Sequence, residues 1–213
     1  MARRRQPELS WLTAYPIDRE AQGWSPDRPL FVDIGGSIGH QCANFKAAHP
    51  NIPGRVILQD LPHSVANALP TPGVENMAHD FWTPQPIRGS KLYYTRTVLH
   101  NHPDHRSREL LEITKEAMTP DSMLLIDEMI LPDTGVNVQT TSINLTMMVA
   151  CAARERTVKD WTELIESAGL KLVKIYSYNP GSYESVMVVF LESTLRTLVE
   201  LSCPGRRIFN FSQ

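Results

Sequence analysis

Short apolar runs that end in an acid or a histidine alternate with amphipathic stretches along most of the chain. "PLFVDIGG" (29–36) reads as a buried strand entering a tight turn, and "HQCANFKAAHP" after it has helical spacing closed by Pro50. "GRVILQD" (54–60) predicts a second strand, and "LPHSVANAL" (61–69) a helix with proline in its first turn. "ENMAHDF" (75–81) is a weaker third strand and "SKLYYTRTVLH" (90–100) a fourth. "PDHRSRELLEITKEAM" then sets Leu110, Leu111, Ile113 and Met118 on one helical face. "DSMLLIDEMILP" (121–132) is near-continuously apolar, as a strand covered on both faces should be. Two helices follow, "TSINLTMMVACAA" and "TVKDWTELIESAGL", the latter with a threonine cap and a closing Gly169, and then two β-rich runs at 171–179 and 183–192.

Strands alternating with helices predict an α/β, doubly wound, Rossmann-like sheet, mostly parallel with an antiparallel strand at its C-terminal end. The expected division is a lead-in at 1–28, one domain over 29–192 and a tail over 193–213 with an amphipathic turn at Leu195, Leu198, Val199 and Leu201. Ligands of such sheets bind beyond the carboxyl ends of the strands. Asp33, Asp60, Asp80, His100 and Glu128 collect there.

The 213 residues are 42% hydrophobic and 21% charged with a net charge of −2, which lacks the basic excess of a nucleic-acid binder. Only "ARRR" at 2–5 is locally basic. Three cysteines, Cys42, Cys151 and Cys203, have no CxxC spacing and read as reduced thiols. No apolar run approaches the roughly 18 residues that cross a bilayer, and no apolar stretch follows the N-terminal arginines. A cytoplasmic protein without nucleic-acid or membrane partners is expected.

"VDIGGSIG" places an acid and glycines 35, 36 and 39 between a strand and a helix, where backbone N–H groups can approach a ligand closely. The GxGxxG spacing of a nicotinamide site fails, because Ser37 and His40 interrupt it. Asp60, about 20 residues further on, matches a ribose-binding carboxylate. The pair favours an adenosine-containing ligand over a purely structural turn. "LHNHPDH" (99–105) resembles the zinc signature of metallo-β-lactamases, yet no histidine follows His105 to complete a metal shell. No metal is expected, and His100 stands where a general base would be.

"DIGGSIG", "LQDLP" (58–62), "HDFW" (79–82), "LLIDEMILP" (124–132) and "RERT" (154–157) occur in the order of a known pattern. From about Leu9 to Val189 the chain resembles the catalytic domain of the plant and fungal S-adenosylmethionine-dependent O-methyltransferases of the caffeate and flavonoid type. The resemblance implies S-adenosylmethionine as cofactor, with Asp33, Gly35 and Gly36 near its methionine part, Asp60 and Leu61 at the ribose, Asp80 and Phe81 flanking the adenine, and Arg96 close by. It implies His100 as general base for a hydroxyl of a small phenolic or polyketide-like acceptor, with Glu128 and Glu155 beside it fixing its tautomer.

Some positions depart from the family. Ser37 replaces a third glycine, Asn101 an aspartate and His102 a frequent tryptophan, and His102 and His105 read as solvated residues at a helix start. Family members usually carry a long helical N-terminal region that dimerises and covers the acceptor, whereas residues 1–28 alone precede the first strand here. A homodimer or a partner chain supplying that region is the corresponding expectation. Two other readings accompany the methyltransferase one: a shortened, non-catalytic cofactor-binding paralogue, and an enzyme of the same fold with a non-methylating, pericyclase-like reaction.

Overall fold

The computed structural model describes residues 10–194. The strands β1 (Pro29–Ile34), β2 (Arg55–Asp60), β3 (Val74–Ala78), β4 (Leu92–Arg96) and β5 (Met123–Leu131) lie parallel in the order β3-β2-β1-β4-β5. A short β6 (Arg156–Thr157) pairs with the end of β5. The sheet continues through β8 (Glu184–Leu191) to β7 (Leu170–Asn179), and β8 runs antiparallel to both its neighbours. The mostly parallel α/β architecture with an antiparallel strand near its C-terminal edge is thus the observed one.

Seven helices connect or flank the strands among the described residues: α1 (Trp11–Ala14), α2 (Ile17–Glu20), α3 (His40–Ala48), α4 (Pro62–Val65), α5 (Asp104–Ala117), α6 (Val138–Cys151) and α7 (Val158–Ser167). Alternate strand residues point to opposite faces, so adjacent side chains enter separate cores. Phe31 and Tyr94 face one core with Trp11 and Phe45, while Val32 and Tyr93 face the other with Leu110, Leu111, Trp161 and Ile165. Trp11 of α1 stacks on Tyr94 at 4.5 Å between ring centroids, which fastens the lead-in to the sheet. Thr157 caps α7 and exchanges hydrogen bonds with Asp160, fixing the start of the helix that buries Trp161.

Three elements are shorter than the pattern of apolar positions predicts, the strand expected over 75–81 ending at Ala78. The helix expected over 61–69 ends at Val65, and Pro70 and Pro72 soon restrict the chain to extended geometry. The strand expected to reach residue 100 stops at Arg96, because Thr97 takes a left-handed φ of 51° and a 3₁₀ turn, Leu99–Asn101, follows. The expected tail lies, from residue 195 onward, outside the described residues, as do the "ARRR" segment and Cys203. No described helix is long and apolar enough to cross a membrane.

The strand order reverses beside β1: its sequence neighbour β2 lies on one side, and β4, reached through β3, lies on the other. Connections leaving β1 and β4 therefore diverge and open a crevice at their carboxyl ends. That reversal positions everything described next.

Candidate functional site

The glycine turn after β1 forms one wall of the crevice. Gly35 takes φ 69°, and the N–H groups of Gly35 and Gly36 donate to the Gln59 carbonyl at 2.9 and 3.1 Å, tying the turn to β2. A Cβ on Gly36 would collide with the Asp33 carboxylate and stand 2.6 Å from Leu58 Cδ1, so only glycine fits. Ser37, where a third glycine would be easier, adopts φ 56°. Its strain is offset by a 2.7 Å charge-assisted hydrogen bond from its N–H to Asp60 Oδ2, while Leu61 N–H donates to Oδ1 at 2.8 Å.

A cavity of about 540 Å³ opens here, lined by Asp33, Gly35, Gly36, Ser37, Arg96 and Thr97 among others. Burial pushes the Asp33 carboxyl up to about 7 even though Cys42 Sγ lies 3.7 Å from its Oδ2. Asp60, Leu61, Asp80 and Phe81 are not among the walls of this cavity. Phe81 abuts the glycine turn from another side, 3.4 Å from where a Gly35 Cβ would be, and Asp80 Oδ1 accepts from Trp82 N–H at 3.0 Å.

Arg96 lies close to the glycine turn and is also engaged within the protein. Although it forms part of the cavity wall, Nη1 meets Asp127 Oδ2 and the Tyr178 hydroxyl, and Nη2 meets Glu184 Oε1 at 2.6 Å. Asp127 also accepts from Tyr94 and Tyr178, each at 2.6 Å. The guanidinium, 8% exposed, is committed to balancing buried carboxylates, and parallel pairing of Arg96 opposite Asp127 brought it there. At the cavity wall it joins β4, β5, β7 and β8 through these contacts.

The turn bearing His100 follows directly on Thr97 of the cavity lining, and His100 itself is not among the walls of this cavity. His100 Nδ1 stands 2.8 Å from Glu155 Oε1, and the Glu155 side chain is fully buried. A carboxylate only accepts, so Nδ1 carries the proton and Nε2 keeps its lone pair. Burial disfavours the imidazolium, but the Glu155 hydrogen bond and the charges of Glu128 and Glu155 outweigh it, and the His100 pKa is raised above its ordinary value.

Glu128 does not touch the imidazole ring, contrary to expectation. Its Oε1 accepts from the N–H groups of Val98 at 3.0 Å, Leu99 at 2.9 Å and His100 at 3.4 Å, because the 3₁₀ turn aims successive N–H groups at one point. Burial pushes Glu128 up to about 7. From the other side, the Arg156 guanidinium donates to the carbonyls of Leu99 at 3.1 Å and His102 at 2.9 Å, which flank His100. An anion on the N–H groups and a cation on the carbonyls thus clamp the turn.

Strained Thr97 connects this turn to the cavity wall, held by its own N–H to the Asp127 carbonyl and by Asn101 Nδ2 donating to its carbonyl at 2.9 Å. Val98 Cγ2 lies 3.0 Å from the Cβ position of Gly35, so the glycine turn and the His100 turn touch. His102 is not the solvated residue expected. It packs edge-on against Trp82 at 5.0 Å and Phe81 at 6.0 Å, while His105 is exposed. Among the described residues no group of three or more His, Cys, Asp or Glu is placed to hold a metal.

The sequence reading missed the clamping role of Arg156. Among charged and polar neighbours in "RERT" nothing in the sequence marks it out, although the side chain is fully buried.

Residues 27–171 match the family model described as O-methyltransferase domain. The chain is 50% identical over 168 residues to the O-methyltransferase ucdC of Aspergillus ustus, covering 79% of this chain and 44% of the relative. It is 41% identical over 180 residues to the demethylsterigmatocystin 6-O-methyltransferase stcP of Emericella nidulans, covering 84% and 88% respectively. Among solved structures, LepI in complex with SAM superposes with a TM-score of 0.83 at 40% identity, over 86% of this chain and 48% of that one. With stcP as an exception, the chain spans about half the length of these relatives.

Proposed function

This chain belongs to the O-methyltransferase domain family, and from that premise we propose that it transfers a methyl group from S-adenosylmethionine to a hydroxyl of a small aromatic or polyketide-like metabolite. The observation that carries the reading is His100, paired at 2.8 Å with a buried carboxylate on a turn that touches the glycine cradle. The residues present fit the cofactor. Gly36, hemmed in by Asp33 and Leu58, keeps the turn tight at the cavity wall, and Asp60, whose oxygens each accept one N–H, retains lone pairs for a ribose diol. Phe81, against Gly35 outside that cavity, offers an aromatic face to the adenine and Asp80 a neighbouring carboxylate, with Leu61 exposed and Asp33 in the cavity lining.

When bound, S-adenosylmethionine supplies a methyl group already activated by its sulfonium. The protein then has two tasks: to hold the acceptor oxygen in line and to take its proton. Orientation of two bound reactants supplies at most roughly 7–11 kcal/mol, and general-base help about 10²–10⁴ in rate, so placement dominates. His100 Nε2 accepts the proton from a phenol of ordinary pKa about 10 as its oxygen becomes bonded. Glu155 stabilises the imidazolium that results, and Glu128 and Arg156 keep the turn from shifting as charge develops.

The same reading includes a homodimer or a partner chain over α6, on which Val138 is 84% and Val149 89% exposed, apolar area of the kind another surface covers. Calorimetry with S-adenosylmethionine and an assay of labelled methyl transfer to a panel of phenols test the assignment. His100→Ala is expected to bind the cofactor as the parent does and to lose turnover, whereas Asp60→Ala loses affinity first. Equal loss of cofactor affinity in both variants would contradict the assigned roles.

A further inference from the structure

We propose that Asn144, on α6, is a positioning residue for the reaction inferred above: through the backbone of Glu155 it sets the carboxylate that orients His100. Glu155 reaches its place with little help from its own side chain. Oε1 meets His100, while Oε2 is buried without a hydrogen-bond partner, so the carboxylate is not anchored from behind. Its location is fixed by the main chain of residues 153–156. On the C-terminal side Arg156 pairs with Ile130 of β5 and its guanidinium grips the His100 turn. On the N-terminal side α6 ends at Ala152 in a left-handed conformation, and Ala153 N–H reaches the Met147 carbonyl only at 3.3 Å. The close contact there is between side chain and backbone: Asn144 Oδ1 accepts from Glu155 N–H at 2.9 Å.

Losing that acceptor leaves a partly buried N–H without a partner and frees the segment to turn about its Arg156 anchor. Rotation there moves Glu155 Oε1 away from Nδ1. α6 also packs against the 3₁₀ turn that carries His100, so Asn144 links the helix to both members of the pair.

The test compares Asn144→Leu, which keeps the size and removes the acceptor, with Asn144→Asp, which keeps the acceptor. The titration of the His100 imidazole is followed by NMR in the full chain without cofactor or acceptor, and kcat and KM are measured with S-adenosylmethionine and a phenol. Asn144→Leu is expected to bring the His100 titration down toward its ordinary value and to lower kcat about tenfold while KM for the cofactor holds. Asn144→Asp is expected to leave the titration at or above that of the parent and to restore most of kcat. Unchanged His100 titration in Asn144→Leu, or an equal fall in both variants, would overturn the proposal. The titration needs no turnover, so a parent chain that transfers no methyl group would defeat the proposed reaction while the positioning of His100 is still decided.

Discussion

Glu128→Gln isolates the cost of holding a charge beneath the His100 turn. Glu128 is 1% exposed, one oxygen takes three N–H groups, and the other is buried without a partner. Burial pushes its pKa from 4.5 to about 7. The folded state therefore binds the proton more tightly than the unfolded chain, and the stability this confers is fully present below pH 4.5 and is lost as pH rises through 7. A rise of that size corresponds to about 3 kcal/mol. His100 adds in the same direction: Glu128 helps raise its pKa, so stability from the imidazolium is likewise lost on going to higher pH. Glutamine retains the accepting oxygen and removes the titration. Its amide N–H groups occupy the place of the unpartnered oxygen, at a penalty of about 1–3 kcal/mol that does not vary with pH. Asp33, also raised to about 7, titrates in both proteins and cancels from the comparison. Urea unfolding followed by tryptophan fluorescence at pH 5, 6, 7 and 8 reads the difference. The parent should lose about 2.5 kcal/mol relative to Glu128→Gln between pH 5 and pH 8. Parallel stability curves would refute the account of Glu128 as a carboxyl group whose pKa burial raises.

Three other outcomes follow from named contacts. Glu155→Gln removes the charge and weakens the hydrogen bond that raise the His100 pKa, so the acid limb of kcat/KM should move to lower pH as its plateau drops by up to about 10²; a limb that moves upward would contradict the pairing. Gly36→Ala drives a methyl group into Asp33 and Leu58, and calorimetry should find S-adenosylmethionine affinity lost with about 1–3 kcal/mol of stability; an unchanged Kd would remove the turn from the cofactor site. Ala152→Gly relieves a left-handed alanine at the end of α6, and after the extra flexibility of the unfolded glycine it should gain about 0.5–1 kcal/mol in urea unfolding. A destabilised variant would show that the alanine methyl is needed there.

The parallel strands were legible because burial on both faces imposes near-continuous apolar runs, as in "LLI" before Asp127 and Glu128. The glycine turn was legible because the left-handed Gly35 and the crowding of Asp33 and Leu58 around Gly36 restrict residue type there. Direction and partnership were not. Arg96 and Asp127 are 31 positions apart, and only the register of β4 on β5 makes them neighbours. Glu128 and Glu155 look alike in sequence, yet one reaches a ring and the other three N–H groups, because the 3₁₀ turn rather than the strand pattern determines what faces each acid. The four-residue helices α1 and α2 are too short to display a period at all, and α1 is held by the stacking of Trp11.

The knot of Arg96, Asp127, Tyr178 and Glu184 has a consequence for the order in which the molecule matures. Its members come from strands far apart in the sequence, so a nascent chain paused before residue 178 has the glycine turn and the histidine but leaves Arg96 and Asp127 without the Tyr178 hydroxyl. The cavity wall at Arg96 should therefore be complete only once the hairpin of β7 and β8 has docked on β5.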